Sequence, residues 1–220
     1  MRFKAWPALA AILLAALIGC GEEEKETIEA GGYKGFMELK GGEWAEYTVS
    51  GDGMTFDQRV EFIGTDTWEG KECYVIEMEM KGLVEMVYQV WVDKSTHEQV
   101  MAVAKQGDLV MRIDLSSLPK NAETFAESST GTPSEYQPGG EIRTETYQTP
   151  TGKTVEAVVF AKDNGEAWVS GEVPFGIVKI IADGQTVMEL KDFGLSGAQR
   201  DITKEEAENA ISIPMPGIGG

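Results

Sequence analysis

Few residues in this chain of 220 have the type and spacing to do chemistry. Its thiols are Cys20 and Cys73, and His97 is its single histidine. One histidine and so few cysteines do not build a zinc site of the usual kind. His97 lies in Lys94-Ser95-Thr96-His97-Glu98, a polar run that reads as a hairpin turn rather than as a catalytic base with a partner. Ser170 stands in Val169-Ser170-Gly171, not in a Gly-x-Ser-x-Gly elbow. Cys73 opens a strand-like segment, where a small buried hydrophobe is the expected role. Glu77 and Glu79 have the spacing of paired carboxylates on one strand face, but in so acidic a chain that face is expected to be solvated. Asp163-Asn164-Gly165-Glu166 lacks the alternating acids of a calcium loop and reads as a hairpin turn. Gly-rich phosphate motifs are absent. The expectation is a protein with no catalytic residues, no metal and no cofactor. A set of thioethers points elsewhere. Met78, Met80, Met86, Met111 and Met188, with Tyr88, fall on the inward side of strand-like segments. Flexible, polarizable side chains there suit either ordinary core filling or the lining of an adaptable apolar pocket.

The residues that position the chain come first in it. Arg2 and Lys4 precede an almost unbroken Ala, Leu and Ile run from Ala8 to Ile18, and Gly19 comes before Cys20. That order is a secretory signal peptide, and the run is too short to span about 30 Å of hydrocarbon. Leu17-Ile18-Gly19-Cys20 resembles the lipobox of bacterial lipoproteins. The other reading is an ordinary cleaved signal with a chance cysteine. The resemblance implies that the Cys20 thiol receives a diacylglycerol, that residues 1–19 are removed, and that Cys20 becomes the first residue. Each buried CH2 of an acyl chain contributes ~0.8 kcal/mol, so two or more chains anchor stably. Gly21 follows the cysteine instead of the Asp that retains lipoproteins in the inner membrane. The expected location is therefore the cell envelope, lipid-anchored, and the outer membrane where two membranes exist.

Cleavage would remove two of 19 basic side chains and none of 37 acidic ones, leaving a formal charge of −20. Such a charge repels nucleic acid and anionic headgroups, so attachment must come from the acyl chains. With Cys20 acylated, Cys73 has no intramolecular partner for a disulfide. Residues 20–42, with Glu22-Glu23-Glu24-Lys25-Glu26 and two Gly-Gly pairs, read as a flexible acidic tether.

From Glu43 the apolar period becomes two. Ala45, Tyr47 and Val49, then Phe56, Val60 and Phe62, then Tyr74, Ile76, Met78 and Met80, each share a face. Met86, Tyr88, Val90 and Val92 continue the pattern, and residues 100–104 and 109–115 form a further hairpin. Such alternation predicts antiparallel strands with one face buried and one wet. Residues 116–140, with three prolines, break the rhythm as a long loop, and strands resume from Glu141 to Lys191 with turns at Asn164-Gly165 and Asp183-Gly184. Thr203 and Glu206 have capping-box spacing for a short helix, and the chain ends in a loose tail. The fold class is therefore mainly β, with little helix: residues 43–202 form a single strongly bent antiparallel sheet, or half-open β-barrel, of roughly ten strands, and 203–220 follow as short helix and tail. A meander of this length must curl or close to hide its apolar face and its edges.

The segment Glu166-Ala167-Trp168-Val169-Ser170-Gly171-Glu172-Val173-Pro174-Phe175-Gly176-Ile177-Val178-Lys179 resembles one found in prokaryotic secreted lipoproteins similar to the lipoprotein-localisation carrier and receptor superfamily. The resemblance covers Thr154 to Phe193. It implies an unclosed antiparallel β-barrel that holds acyl chains in its concavity, although no lid helices are evident here. The expected function is a non-enzymatic, membrane-tethered protein that binds or shields a hydrophobic ligand on a concave face. The alternative is an interaction or assembly lipoprotein with a protein partner in the envelope.

Overall fold

A computed structural model describes residues 37–51, 53–82, 84–113 and 141–212. The signal segment, Cys20, most of the tether, the 116–140 loop and the last residues of the tail lie outside the described residues. The sheet is built from β1 (Trp44–Gly51), β2 (Met54–Trp68), β3 (Lys71–Lys81), β4 (Met86–Asp93), β5 (Gln99–Gln106), β6 (Leu109–Arg112), β7 (Glu141–Gln148), β8 (Thr154–Lys162), β9 (Gly165–Val169), β10 (Ile177–Ala182), β11 (Gln185–Gly194) and β12 (Ile211–Ser212). Among the described residues there is one helix, α1 (Lys204–Glu208), which precedes β12. The fold is mainly β, a single sheet that does not close into a barrel. Among the described residues it has twelve strands, in keeping with the roughly ten expected. The one that alternation could not reveal is β12, two residues paired in parallel with β6 in what reads as tail.

Strand order is β12-β6-β5-β4-β3-β2-β1-β11-β10-β9-β8-β7. Consecutive strands therefore pair within β1 to β6 and within β7 to β11, and the β1–β11 ladder joins the two halves. At Asp183-Gly184 both φ angles are positive and Ala182 pairs with Gln185, as the Asp-Gly signal predicts. The β8–β9 turn differs by one position. Lys162 pairs with Gly165, so Asp163, at φ 53°, and Asn164 make the turn, and Gly165 already belongs to the strand.

Two hydrogen bonds measure the curl of the β7–β11 half. The Tyr147 hydroxyl on β7 donates to Leu190 O on β11 at 2.6 Å, although three strands lie between them in the ladder. Tyr47 on β1 donates to Ile177 O on β10 at 3.3 Å. The enclosed space is filled by Tyr47, Leu190, Val155 and Ala157, and by Val173 and Phe175 from the loop between β9 and β10. That loop interrupts the strands because its own apolar side chains close the core.

Alternation works on the inner face, but the outer face is not uniformly wet. On β3 to β6 the outward positions Cys73, Val75, Trp91, Met101, Val103 and Val110 are buried as a second cluster. Ile202 and Ala207, from the segment that follows β11, complete it, and both are fully buried. The outer face of these strands is thus covered, where alternation predicts a wet one.

Candidate functional site

The register sorts the candidate pocket residues. Across β2 to β6, Val60 pairs with Met78, Met78 with Tyr88, Tyr88 with Ala104, and Ala104 with Met111. In the adjacent row Gln58 pairs with Met80 and Met80 with Met86. Five of the six candidates therefore form one continuous patch on the inner face, with neighbours at cross-strand contact distance. Met188 stands apart. It pairs with Val49 on β1 and Ile180 on β10, in the curled half, and is 3% exposed. Met78 and Met80 are also buried, whereas Met86, Tyr88 and Met111 are half-buried. The buried members fill the core, and the half-buried ones form a rim of thioether and phenol beside Ile113. Burial pushes the Tyr88 hydroxyl above its usual range, so it stays neutral on this face.

The outer face carries the polar chemistry. A cleft of about 380 Å³ runs over β1 to β3 under the segment after β11. Its acids are Glu46, Asp57, Glu61, Glu79 and Asp201, and its bases Arg59 and Lys81. Most are paired: Arg59 with Glu61 at 2.9 Å, Lys81 with Glu79 at 2.8 Å, and Lys191 with both Glu46 and Asp57 at 2.7 Å. Glu77 lies beside this cleft and is 1% exposed. The solvated carboxylate pair expected on β3 is corrected here, because the chain after β11 covers Glu77 and leaves Glu79 half-buried.

Glu77 is the hub of a buried network. Its Oε2 accepts the Asp201 N–H at 2.8 Å, and its Oε1 accepts the Ile202 N–H at 3.0 Å and Gln89 Nε2 at 2.7 Å. Gln89 Nε2 also donates to Ile202 O at 2.6 Å, and Gln89 Oε1 accepts from Trp91 Nε1 at 2.8 Å. Burial raises the Glu77 carboxyl above the ordinary carboxylate range, and the three donors work against that rise. Carboxylate oxygens of Glu61, Glu77 and Asp201 lie within 4.8 Å of one another, so these are the described residues that come nearest to holding a hard cation. Glu77 and Glu61, however, already accept N–H groups of the covering segment, including Gln199 N on Glu61 at 3.2 Å. The arrangement clamps the chain.

The remaining sequence candidates separate widely. His97, with φ 58°, belongs to the β4–β5 turn, its N–H donating to Asp93 O at 2.8 Å. Ser170 is buried and its hydroxyl accepts the Glu172 N–H at 3.3 Å. Cys73 is a free, fully buried thiol in the outer cluster, as expected of a small hydrophobe. Glu166 pairs with Arg143 at 2.9 Å and accepts from Trp168 at 2.7 Å, so the Asp163–Glu166 turn is occupied by its own contacts. The Glu77–Gln89–Trp91 network was missed by sequence reasoning. Its signal was two amide or acid side chains at alternate positions among apolar residues of adjacent strands.

No family model matches this chain, and no curated protein matches it significantly.

Proposed function

We propose that this chain is a lipid-anchored protein of the cell envelope that binds or shields a hydrophobic molecule on the inner face of its curled sheet, without catalysing a reaction. The observation that carries this reading is the contiguous patch of Met78, Met80, Met86, Tyr88 and Met111, part buried and part open. Its buried members give a rigid floor. Its half-buried members are the soft side chains that repack around alkyl chains of different shape. The anchor is acyl chains on Cys20, and the acidic surface keeps the domain from lying on anionic headgroups.

A second reading, an interaction lipoprotein that binds a protein partner of the envelope, is favoured by Leu109 and Ile211. These are 44% and 58% exposed on the two strands at one end of the sheet. Native mass spectrometry of the protein from its own host, after delipidation, separates the two. A co-purifying apolar molecule, displaced competitively by a fluorescent fatty acid, is expected. Absence of both, with a protein co-purifying instead, would replace the first reading by the second. Mass analysis of the mature N-terminus and membrane partition of Cys20→Ala test the anchor: an unmodified Cys20 removes it.

A further inference from the structure

The chain leaves β11 at Gly194 and crosses the outer face of β1 to β6 as a strap, residues 195–212. Its first part is pinned at the sheet junction, where Trp44 Nε1 donates to Ser196 O at 3.0 Å and Ala198 N to Gly42 O at 2.8 Å. From Arg200 onward its attachment is different in kind. Only Ile202 and Ala207 are fully buried apolar side chains. The rest is polar: the Glu77–Gln89 clamp, partly exposed ion pairs of Lys105 with Glu206 at 2.7 Å and of Asp66 with Arg200 at 2.9 Å and Lys204 at 3.3 Å, bonds from Lys105 to Asp201 O and from Arg112 to Ala207 O and Glu208 O, and the two-residue β12–β6 pairing. Partly exposed pairs add little net stability, and each hydrogen bond adds only modestly because it replaces one to water.

The secondary structure of the strap is equally slight. Helix α1 has five residues, well below the length of an autonomous helix, and β12 has two. Arg112 Nε and Arg200 Nη2 are buried without a hydrogen-bond partner among the described residues. Both belong to this seam, Arg112 from β6 against the end of α1 and Arg200 from the strap over Trp91. Unsatisfied buried donors weaken the closed state. Beneath the strap lies a face as apolar as a core, with Trp91, Val103 and Val110 at its centre.

We infer that residues 200–212 are a displaceable strap that opens as one unit while the sheet stays folded, uncovering a second apolar face centred on Trp91, back to back with the Met78–Tyr88 row. A strap held by few apolar contacts and many polar ones is drawn from the low-stability end of the molecule. The inference is independent of the proposed ligand, because it concerns the opposite face.

Hydrogen exchange read by mass spectrometry on the full chain tests it. Amides of 200–212 are expected to exchange together and well before those of β3 and β4. Glu206→Gln, which removes the charge that pairs with Lys105 and leaves an amide oxygen to accept the Thr203 N–H of the capping box, is expected to speed strap exchange by roughly twofold to fivefold while leaving β3 and β4 unchanged. Lys105→Met removes the same pair from the sheet side and should give the same pattern if the first variant folds poorly. Binding of an apolar fluorescent dye should rise in step with strap exchange. Equal protection of strap and sheet, or equal acceleration of both by either variant, would show one cooperative unit and overturn the inference.

Discussion

The Ile202 N–H donates to Glu77 Oε1 at 3.0 Å across 125 positions of sequence, so a strand near the middle of the sheet fastens the chain that crosses it near the end. The same carboxylate takes the Asp201 N–H and Gln89 Nε2. Glu77→Ala would take the acceptor from three donors, two of them buried. The expected loss is about 2–4 kcal/mol in urea unfolding, larger than for a surface acid. Glu77→Gln retains one acceptor oxygen and relieves the burial of charge, so it should lose much less. Equal losses in the two variants would mean that the acceptor oxygens are not what matters.

Acid acts on this clamp in opposite directions. The Lys105 ammonium pulls the Glu206 carboxyl down to about 2, with the Thr203 N–H helping. The folded state thus holds that proton less tightly than the unfolded chain. Its stabilising contribution is complete above the ordinary value of 4.5 and disappears as pH falls toward 2. Asp93 behaves in the same way, held at about 2 chiefly by Ser95. Glu77 has the reverse sign. Burial raises its value, so acidification toward 4.5 relieves a cost rather than creating one. The thermal midpoint should therefore hold or rise slightly between pH 7 and about 5, then fall below about 4.5. Glu206→Gln should lower the midpoint slightly above pH 4.5, where the lost contribution was complete, and flatten the acid limb, which a pH series of melting curves reads directly.

How much of this was legible depends on which face is considered. Period-two alternation located the strands because inner positions such as Tyr47, Val60 and Met78 are apolar, with Gln58 on β2 an exception. The capping box at Thr203 and Glu206 was legible because its spacing is local, and both of its hydrogen bonds form. The outer cluster was not legible as such. Val75 and Trp91 interrupt the expected wet face, but what covers them comes from residues 202 and 207, and no local pattern joins those positions. Glu77 was misread for the same reason: a glutamate among glutamates gives no sign that a distant backbone will close over it. The ligand-facing patch was half legible. Alternation assigned the five candidate methionines and Tyr88 to the inside, but only register separates Met188 from the other five.

Gly194 ends β11 against the indole of Trp44. A methyl group there would lie 2.7 Å from Trp44 Cε2, so the ring would have to move. That ring also carries Arg59 at 3.8 Å and donates to Ser196 O. Gly194→Ala is expected to cost about 1–3 kcal/mol, the range of an overpacked site. It should also quench or shift part of the tryptophan emission in the folded state. A neutral thermal shift would show that the indole relocates freely and does not pin the strap.

The methionines should divide by their place in the register. Met188 is 3% exposed between Val49 and Ile180, so Met188→Ala leaves a cavity in the curled half, and about 2–4 kcal/mol of stability should go with it. Met86 and Met111 are half-buried at the rim, and truncating either removes less packed surface. Their replacement by Gln keeps length while adding a polar end that an alkyl chain will not wet. Met86→Gln and Met111→Gln should therefore leave the melting temperature nearly unchanged and weaken displacement of a fluorescent fatty acid several-fold, whereas Met188→Ala should do the reverse. The double comparison distinguishes a lined site from a filled core. If all three variants lose stability in proportion and none alters displacement, the thioethers are packing alone, and the hydrophobic ligand has no place on this face.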